Sequence, residues 1–180
     1  MSKKVLIIST SLRPNSNSEI LAKETERGAR DAGHEVEFVT LKDKVINFCK
    51  GCLACQKLGH CVINDDANEI TLKMKNADVI VWATPIYYYE MSGQMKTIID
   101  RANSLFATGK NFSETYVITT SADTSKGVVQ TVLNGVKGWI ACFGGLELKG
   151  YIEAGGLEGM NEAGERKDLL EQAYNMGKNI

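Results

Sequence analysis

The stretch Ser9-Thr10-Ser11-Leu12-Arg13-Pro14-Asn15-Ser16-Asn17-Ser18 gathers five hydroxyls, two amides and one guanidinium in ten residues. Donors this dense suit an anion whose oxygens all need partners. The stretch has no glycine, so it is not the G-x-G-x-x-G turn of a dinucleotide fold. It also lacks the glycine frame and lysine of a P-loop. The absence of a cysteine argues against a cysteine-based phosphatase. What remains is a site for a terminal phosphate monoester, strengthened if a helix follows and turns its N-terminal N–H groups toward the anion. A polar loop with helix caps is the plainer alternative, and spacing alone does not choose between them.

A second group is Cys49-x2-Cys52-x2-Cys55-x5-Cys61. Short spacers bring four thiolates together, as an iron–sulfur cluster requires. Zinc also takes four cysteines, usually as two separated pairs. Cys52 and Cys55 alone would make a redox-active dithiol. A third group is Tyr87-Tyr88-Tyr89, three rings with a flat apolar face and a polar tip, behind Thr84-Pro85-Ile86. Neither His34 nor His60 has a partner in sequence that suggests catalysis. Cys142, on an apolar helix face, reads as core packing.

These groups need a scaffold. Val5–Ile8, Glu35–Thr40, Val79–Ala83, Tyr116–Thr120 and Leu146–Ile152 read as strands. Helical spacing is clearest over about 18–32, in the run after a cap at Ser92, over about 128–143 and around Leu169–Gly177. Asp66 with Glu69 resembles a capping box for a helix reaching about Met74. The alternation predicts a doubly wound α/β sandwich with a parallel sheet. In such sheets ligands sit at the carboxyl ends of the strands, where the Ser9–Ser18 loop lies. Leu41–Asp65 is left over as a cysteine-bearing insert, and Glu153–Glu165 as a mobile Gly- and Glu-rich loop.

The chain's 180 residues favour a single domain, and 43 % apolar with 24 % charged residues is ordinary for a globular protein. A formal net charge of −1 gives no field favouring nucleic acid or an anionic membrane. Val5–Ile8 is too short for a signal-peptide core, and no stretch approaches a membrane span. The expectation is a cytoplasmic protein with its five cysteines mostly reduced.

Ser11–Ser18 resembles the S-x-R-x-x-S-N-[ST] phosphate loop of the flavodoxin-like NAD(P)H-dependent FMN reductases. Thr10 stands where that family usually has glycine. The similarity runs along nearly the whole chain and includes Thr84–Tyr89, Ser92-Gly93-Gln94-Met95-Lys96 and Ile99-Asp100-Arg101. It implies a flavodoxin-like, doubly wound, five-stranded parallel sheet of order 2-1-3-4-5 with helices on both faces. Residues 1–180 would form one FMN-binding domain with a Cys-rich insert at about 41–65.

By the same resemblance, Ser9, Ser11, Arg13, Ser16, Asn17 and Ser18 hold the FMN phosphate. Thr84, Pro85, Ile86, Tyr87, Tyr88, Tyr89, Ser92 and Gly93 surround the ring. Thr120, Ala122 and Asp123 give a third contact loop, beside Thr119 and Ser121. No side chain is needed as a catalytic acid or base, because the flavin N5 carries the chemistry. The implied activity is that of an oxidoreductase taking hydride from NAD(P)H and passing electrons to a flavin, a quinone, a similar small acceptor or a redox protein. Relatives suggest a homodimer or homotetramer.

The cysteine pattern also matches the iron–sulfur flavoprotein branch of this superfamily. There, Cys49, Cys52, Cys55 and Cys61 would bind a [4Fe–4S] cluster and the protein would be an electron carrier. Members without a cluster carry a similar segment followed by acidic residues, here Asp65-Asp66. The motif therefore leaves the branch open, with unligated thiols preferred. A binding module for another phosphorylated ligand is the remaining alternative.

Overall fold

The apolar runs become the centre of a sheet. In the computed structural model, which describes residues 1–180, the strands are β1 (Lys4–Ser9), β2 (Glu35–Thr40), β3 (Val79–Tyr87), β4 (Glu90–Met91), β5 (Glu114–Thr120) and β6 (Glu147–Ala154). Their order is β2-β1-β3-β5-β6, with β4 pairing only with β3. The main path is parallel throughout, while β3–β4 is an antiparallel hairpin. Without the two-residue β4, this is the expected order.

The helices are α1 (Asn17–Asp31), α2 (Ala54–Leu58), α3 (Ala67–Asn76), α4 (Gly93–Arg101), α5 (Ser104–Thr108), α6 (Gln130–Ile140) and α7 (Lys167–Lys178), with a 3₁₀ turn at Glu162–Glu165. Side chains alternate across a strand, and the core divides accordingly. Val5, Ile7, Val79 and Val81 pack with Leu21 and Ala22 of α1 and Leu169 and Ala173 of α7. Leu6, Ile8, Ile80 and Trp82 pack on the other face with Met74 of α3, Ile98 of α4 and Val132 of α6. Both faces are covered, which explains why β1 and β3 read as continuous apolar runs.

The two helices behind the first loop meet closely. A Cβ at Gly28 would lie 2.0 Å from the Tyr174 carbonyl oxygen, and one at Gly177 would lie 2.0 Å from that of Thr25. Thr25 Oγ1 donates to the Ala173 carbonyl at 3.1 Å across the same crossing. This contact fixes α1, and with it the loop at its N-terminus.

Several local expectations are corrected. α1 begins at Asn17, one residue before the expected start, with Ser16 as its cap. Asp66 makes no capping hydrogen bond. Its carboxylate accepts from the Val45 N–H at 2.6 Å, and Asp65 Oδ1 accepts from the Ala67 N–H at 3.2 Å instead. Cys142 is exposed, because the buried stripe of α6 runs through Val132, Leu133 and Val136, and Cys142 lies past the helix end. Residues 153–165 do not hang free. β6 runs to Ala154, and the segment beyond it docks through buried Leu157 and Ala163.

Candidate functional site

The Ser9–Ser18 loop runs from the carboxyl end of β1 to the start of α1. Asn15 takes a left-handed conformation (φ 48°), which asparagine tolerates better than most residues. Ser16 Oγ then accepts from the Glu19 N–H at 3.3 Å. The first N–H groups of α1 have no partner within the helix and favour an anion there.

Two hydroxyls in this loop, Ser9 Oγ and Ser18 Oγ, are buried with no hydrogen-bond partner. A buried hydroxyl left unsatisfied costs about 1–3 kcal/mol, so such groups mark a place where an acceptor belongs. A terminal phosphate supplies acceptors of that kind. Ser11, Arg13, Ser16, Asn17 and Ser18 line one cleft of about 200 Å³. Its far wall is Pro85, Ile86 and Tyr87 from β3, and Thr120, Ser121 and Ala122 from the end of β5. Three of the implied contact segments thus meet at the carboxyl edge of the sheet.

Arg13 is exposed and donates through Nη1 to the Glu158 carbonyl at 2.8 Å, so it bridges the loop to the 153–165 segment. The Asn17 side chain is already engaged. It donates to the Gly159 carbonyl at 2.8 Å and accepts from the Ala163 N–H at 3.0 Å. Its carboxamide shapes the cleft rather than facing a ligand, and its backbone N–H is the group left for an anion.

Thr10, the departure from the family pattern, has a structural part. Its hydroxyl lies 3.0 Å from both the Ala83 carbonyl and Ser92 Oγ. Ser92 donates its N–H to Thr84 Oγ1 at 3.1 Å and accepts from the Met95 N–H at 3.3 Å, capping α4. Thr10, Thr84 and Ser92 are all buried. They form a hydroxyl chain tying the Ser9–Ser18 loop to the loop after β3, which a glycine at position 10 would not complete. Thr84 and Ser92 are therefore scaffold to the cleft.

Tyr88 and Tyr89 form the two-residue turn of the β3–β4 hairpin, with φ of 49° and 63°. Positive φ at both central residues gives the tight primed turn, ordinarily left to Asn and Gly. Non-glycine residues in this region cluster at functional sites. The turn projects Tyr88 fully into solvent and leaves Tyr87 and Tyr89 about half exposed. The Tyr89 hydroxyl donates to Asp123 Oδ2 at 3.1 Å, joining the hairpin tip to the loop after β5. That bond raises the Tyr89 pKa. Asp123 is lowered, chiefly by the Ser125 N–H, then by the Ser125 side chain and by Tyr89.

The cysteines lie elsewhere. Cys49 and Cys52 are exposed, Cys61 is half-buried and Cys55 is buried. All four line one small cavity of about 40 Å³, together with Arg101 and Asn103. No three Cys, His, Asp or Glu side chains are drawn together as a ligand set. The donors are right in kind for a thiolate-ligated group and share one space, but are not gathered to coordinating positions here. Asn103 Nδ2 donates to Cys55 Sγ at 3.4 Å. Arg101 is held by Asp65, which raises its pKa against burial, with a smaller contribution from Cys61.

A larger groove of about 920 Å³ opens between α4, α6 and the cysteine segment, with Met91, Phe106, Trp139 and Phe143 on its walls. Gly93 faces this groove rather than the cleft beside the Ser9–Ser18 loop. No helix is long and apolar enough to cross a membrane.

Residues 3–151 match the family described as NADPH-dependent FMN reductase. An iron–sulfur flavoprotein of Methanocaldococcus jannaschii is 42 % identical over 102 residues, covering 57 % of this chain and 53 % of that protein. One from Methanosarcina thermophila is 36 % identical over 110 residues, covering 61 % and 56 %. The chain thus spans about half the length of these curated relatives. Among solved structures, an NAD(P)H:quinone oxidoreductase from Methanothermobacter marburgensis superposes with a TM-score of 0.77 over 99 % of this chain and 97 % of that one. At 17 % identity this likeness speaks to the fold.

Proposed function

The chain belongs to the NADPH-dependent FMN reductase family, and on that footing we propose that it is an FMN-dependent oxidoreductase taking hydride from NAD(P)H. Electrons pass on to a small acceptor, such as a flavin or quinone, or to a redox protein. The observation that carries this reading is the pair of buried, unpartnered hydroxyls at the two ends of the loop, Ser9 closing β1 and Ser18 in the first turn of α1. When bound, FMN supplies the hydride acceptance and electron storage.

The protein's part is to hold and orient. Ser9, Ser11, Ser18 and the first N–H groups of α1 take the phosphate. Arg13 adds charge, and its bond to Glu158 keeps the cleft closed on that side. Pro85, Ile86 and Tyr87, with Thr120 and Ala122, line the wall of the cleft that would face the ring. Tyr89 and Asp123 hold the two ring-side loops at a fixed spacing. No acid or base is assigned.

Residues 1–180 act as one FMN-binding unit carrying the Cys-rich insert at about 41–65. The assembly is a homodimer or homotetramer. Exposed Phe48, Leu53 and Phe106 give apolar surface for it to cover.

The test is anaerobic stopped-flow mixing of the FMN-loaded protein with NADPH or NADH. Loss of the flavin absorption within milliseconds to seconds is expected. A flavin that stays oxidised with both nucleotides contradicts the reductase.

A second reading has its own observation. Four thiols share one cavity, and the relatives from Methanocaldococcus jannaschii and Methanosarcina thermophila are named iron–sulfur flavoproteins. The chain would then carry a [4Fe–4S] cluster on Cys49, Cys52, Cys55 and Cys61 and exchange electrons with a protein partner. Iron and sulfide near four per chain after anaerobic purification would select this reading. Flavin without iron would leave the simple reductase.

A further inference from the structure

Arg101 has one hydrogen-bond donor to spare, on a residue that lines the cysteine cavity. A guanidinium carries five N–H groups. Four of these are used here. Nη1 donates to Asp65 Oδ2 and to the Asn47 carbonyl, both at 2.7 Å. Nη2 donates to Asp65 Oδ1 at 2.7 Å and to the Ile63 carbonyl at 3.1 Å. The fifth, on Nε, is buried and has no partner. The side chain is fully buried, at 0 % exposure, and Arg101 lines the cavity that Cys49, Cys52, Cys55 and Cys61 also line.

A buried donor without an acceptor is unfavourable in the protein alone. It becomes favourable if an electron-rich sulfur is brought to it. Four bonds to fixed acceptors leave the guanidinium no freedom to turn away, so its orientation is set before anything binds. Asp65 offsets its charge, leaving the N–H as the directional contribution. Hydrogen bonds to cluster or cysteine sulfur withdraw electron density and favour the reduced form.

We propose that Arg101 is the protein's hydrogen-bond donor to a thiolate-ligated iron–sulfur cluster in this cavity, through Nε–H, and that it raises the cluster's reduction potential. The proposal rests on the iron–sulfur reading above. No other arginine reaches this cavity. Arg13 donates to Glu158, Arg27 pairs with Glu24, Arg30 with Glu26 and Arg166 with Asp168. A label on every arginine nitrogen therefore reports on Arg101 alone.

The wild-type protein, grown with ¹⁵N-arginine, is reconstituted anaerobically with ferrous iron and sulfide and reduced with dithionite. Pulsed EPR on the reduced cluster should show a ¹⁵N coupling absent from unlabelled protein. A loaded cluster without that coupling overturns the role of Arg101. Wild-type protein that takes up no iron overturns the cluster reading, and the proposal with it. In Arg101→Lys, which keeps the charge facing Asp65 but lacks the Nε–H, the cluster potential should move to a more negative value. An unchanged potential in folded Arg101→Lys also overturns the proposal. If that variant does not fold, the labelled wild-type protein decides alone.

Discussion

Arg101 and Asp65 form a buried bidentate ion pair, with Nη1–Oδ2 and Nη2–Oδ1 both 2.7 Å, which closes the base of the cysteine segment. The same guanidinium binds the carbonyls of Asn47 and Ile63, on either side of Cys49–Cys61. One side chain from the last turn of α4 therefore clamps both ends of the loop. Arg101→Ala leaves a buried carboxylate unpaired and should destabilise the protein by about 3–5 kcal/mol. Arg13→Ala, at an exposed position, should change stability by less than about 0.5 kcal/mol while weakening FMN binding. Urea denaturation and FMN fluorescence titration separate the two. Equal losses of FMN affinity in both folded variants would remove Arg13 from the phosphate site.

The same pair predicts a pH dependence. Burial acts to raise the Asp65 pKa, but the Arg101 guanidinium and the N–H groups of Asn47 and Ala67 outweigh it and hold the carboxyl well below the usual range. A carboxylate depressed on folding contributes its full stability above its unfolded pKa, about 4. It loses that contribution as the pH falls toward the folded value. The stability gap between wild type and Asp65→Asn should be flat from neutral pH to about 4 and shrink below it. Denaturation curves at stepped acid pH measure this. A gap that grows on acidification would contradict the assignment.

Ser9→Ala and Ser18→Ala remove hydroxyls that have no partner in the protein alone. The apo-protein should be unchanged in stability or slightly more stable. FMN affinity should fall, because a hydrogen bond to a charged phosphate contributes about 1.5–3 kcal/mol, roughly 10- to 100-fold per hydroxyl. Thermal melts of apo-protein and equilibrium FMN titrations read the two effects separately. Apo-protein losing several degrees with FMN affinity intact would make these serines structural.

Much of this arrangement can be read from the chain, and the failures have physical causes. β1 and β3 were legible because a strand covered on both faces must be apolar throughout. The Ser9–Ser18 segment was legible as the loop between β1 and α1, because a run of short polar residues separates an apolar strand from a helical pattern. The sequence did not fix the cap of α1, because Ser16, Asn17 and Ser18 are all good caps and only tertiary contacts engage Asn17 elsewhere. Asp65 and Asp66 are neighbours of one type, so no pattern tells which one meets Arg101, 36 residues away. The bond from Thr10 to Ser92 spans 82 residues and depends on strand order. β4 has two residues, too few for any periodicity.

The α1–α7 crossing gives a prediction far from the cofactor. Gly177→Ala would place a methyl against the Thr25 carbonyl. Overpacking of this kind costs about 1–3 kcal/mol, and the helices must separate to admit it. Because α1 follows directly on the Ser9–Ser18 loop proposed to hold the phosphate, FMN affinity should fall along with the melting temperature. Gly138→Ala, where an added Cβ meets nothing within 4 Å, is the control and should leave FMN affinity unchanged and the melting temperature the same or slightly higher, as replacing a glycine within a helix does. A Gly177→Ala variant as stable as wild type would show that the crossing does not constrain α1.

On the proposed reading, the Ser9–Ser18 loop holds a terminal phosphate monoester on a flavin. FMN and riboflavin share the ring and differ by that phosphate. Titrating apo-protein with each, by quenching of flavin fluorescence, tests the claim most directly. FMN should bind at least about 100-fold more tightly, as two or more charge-assisted hydrogen bonds would give. The margin should narrow in Ser9→Ala and Ser18→Ala. Equal affinities for FMN and riboflavin would contradict the account.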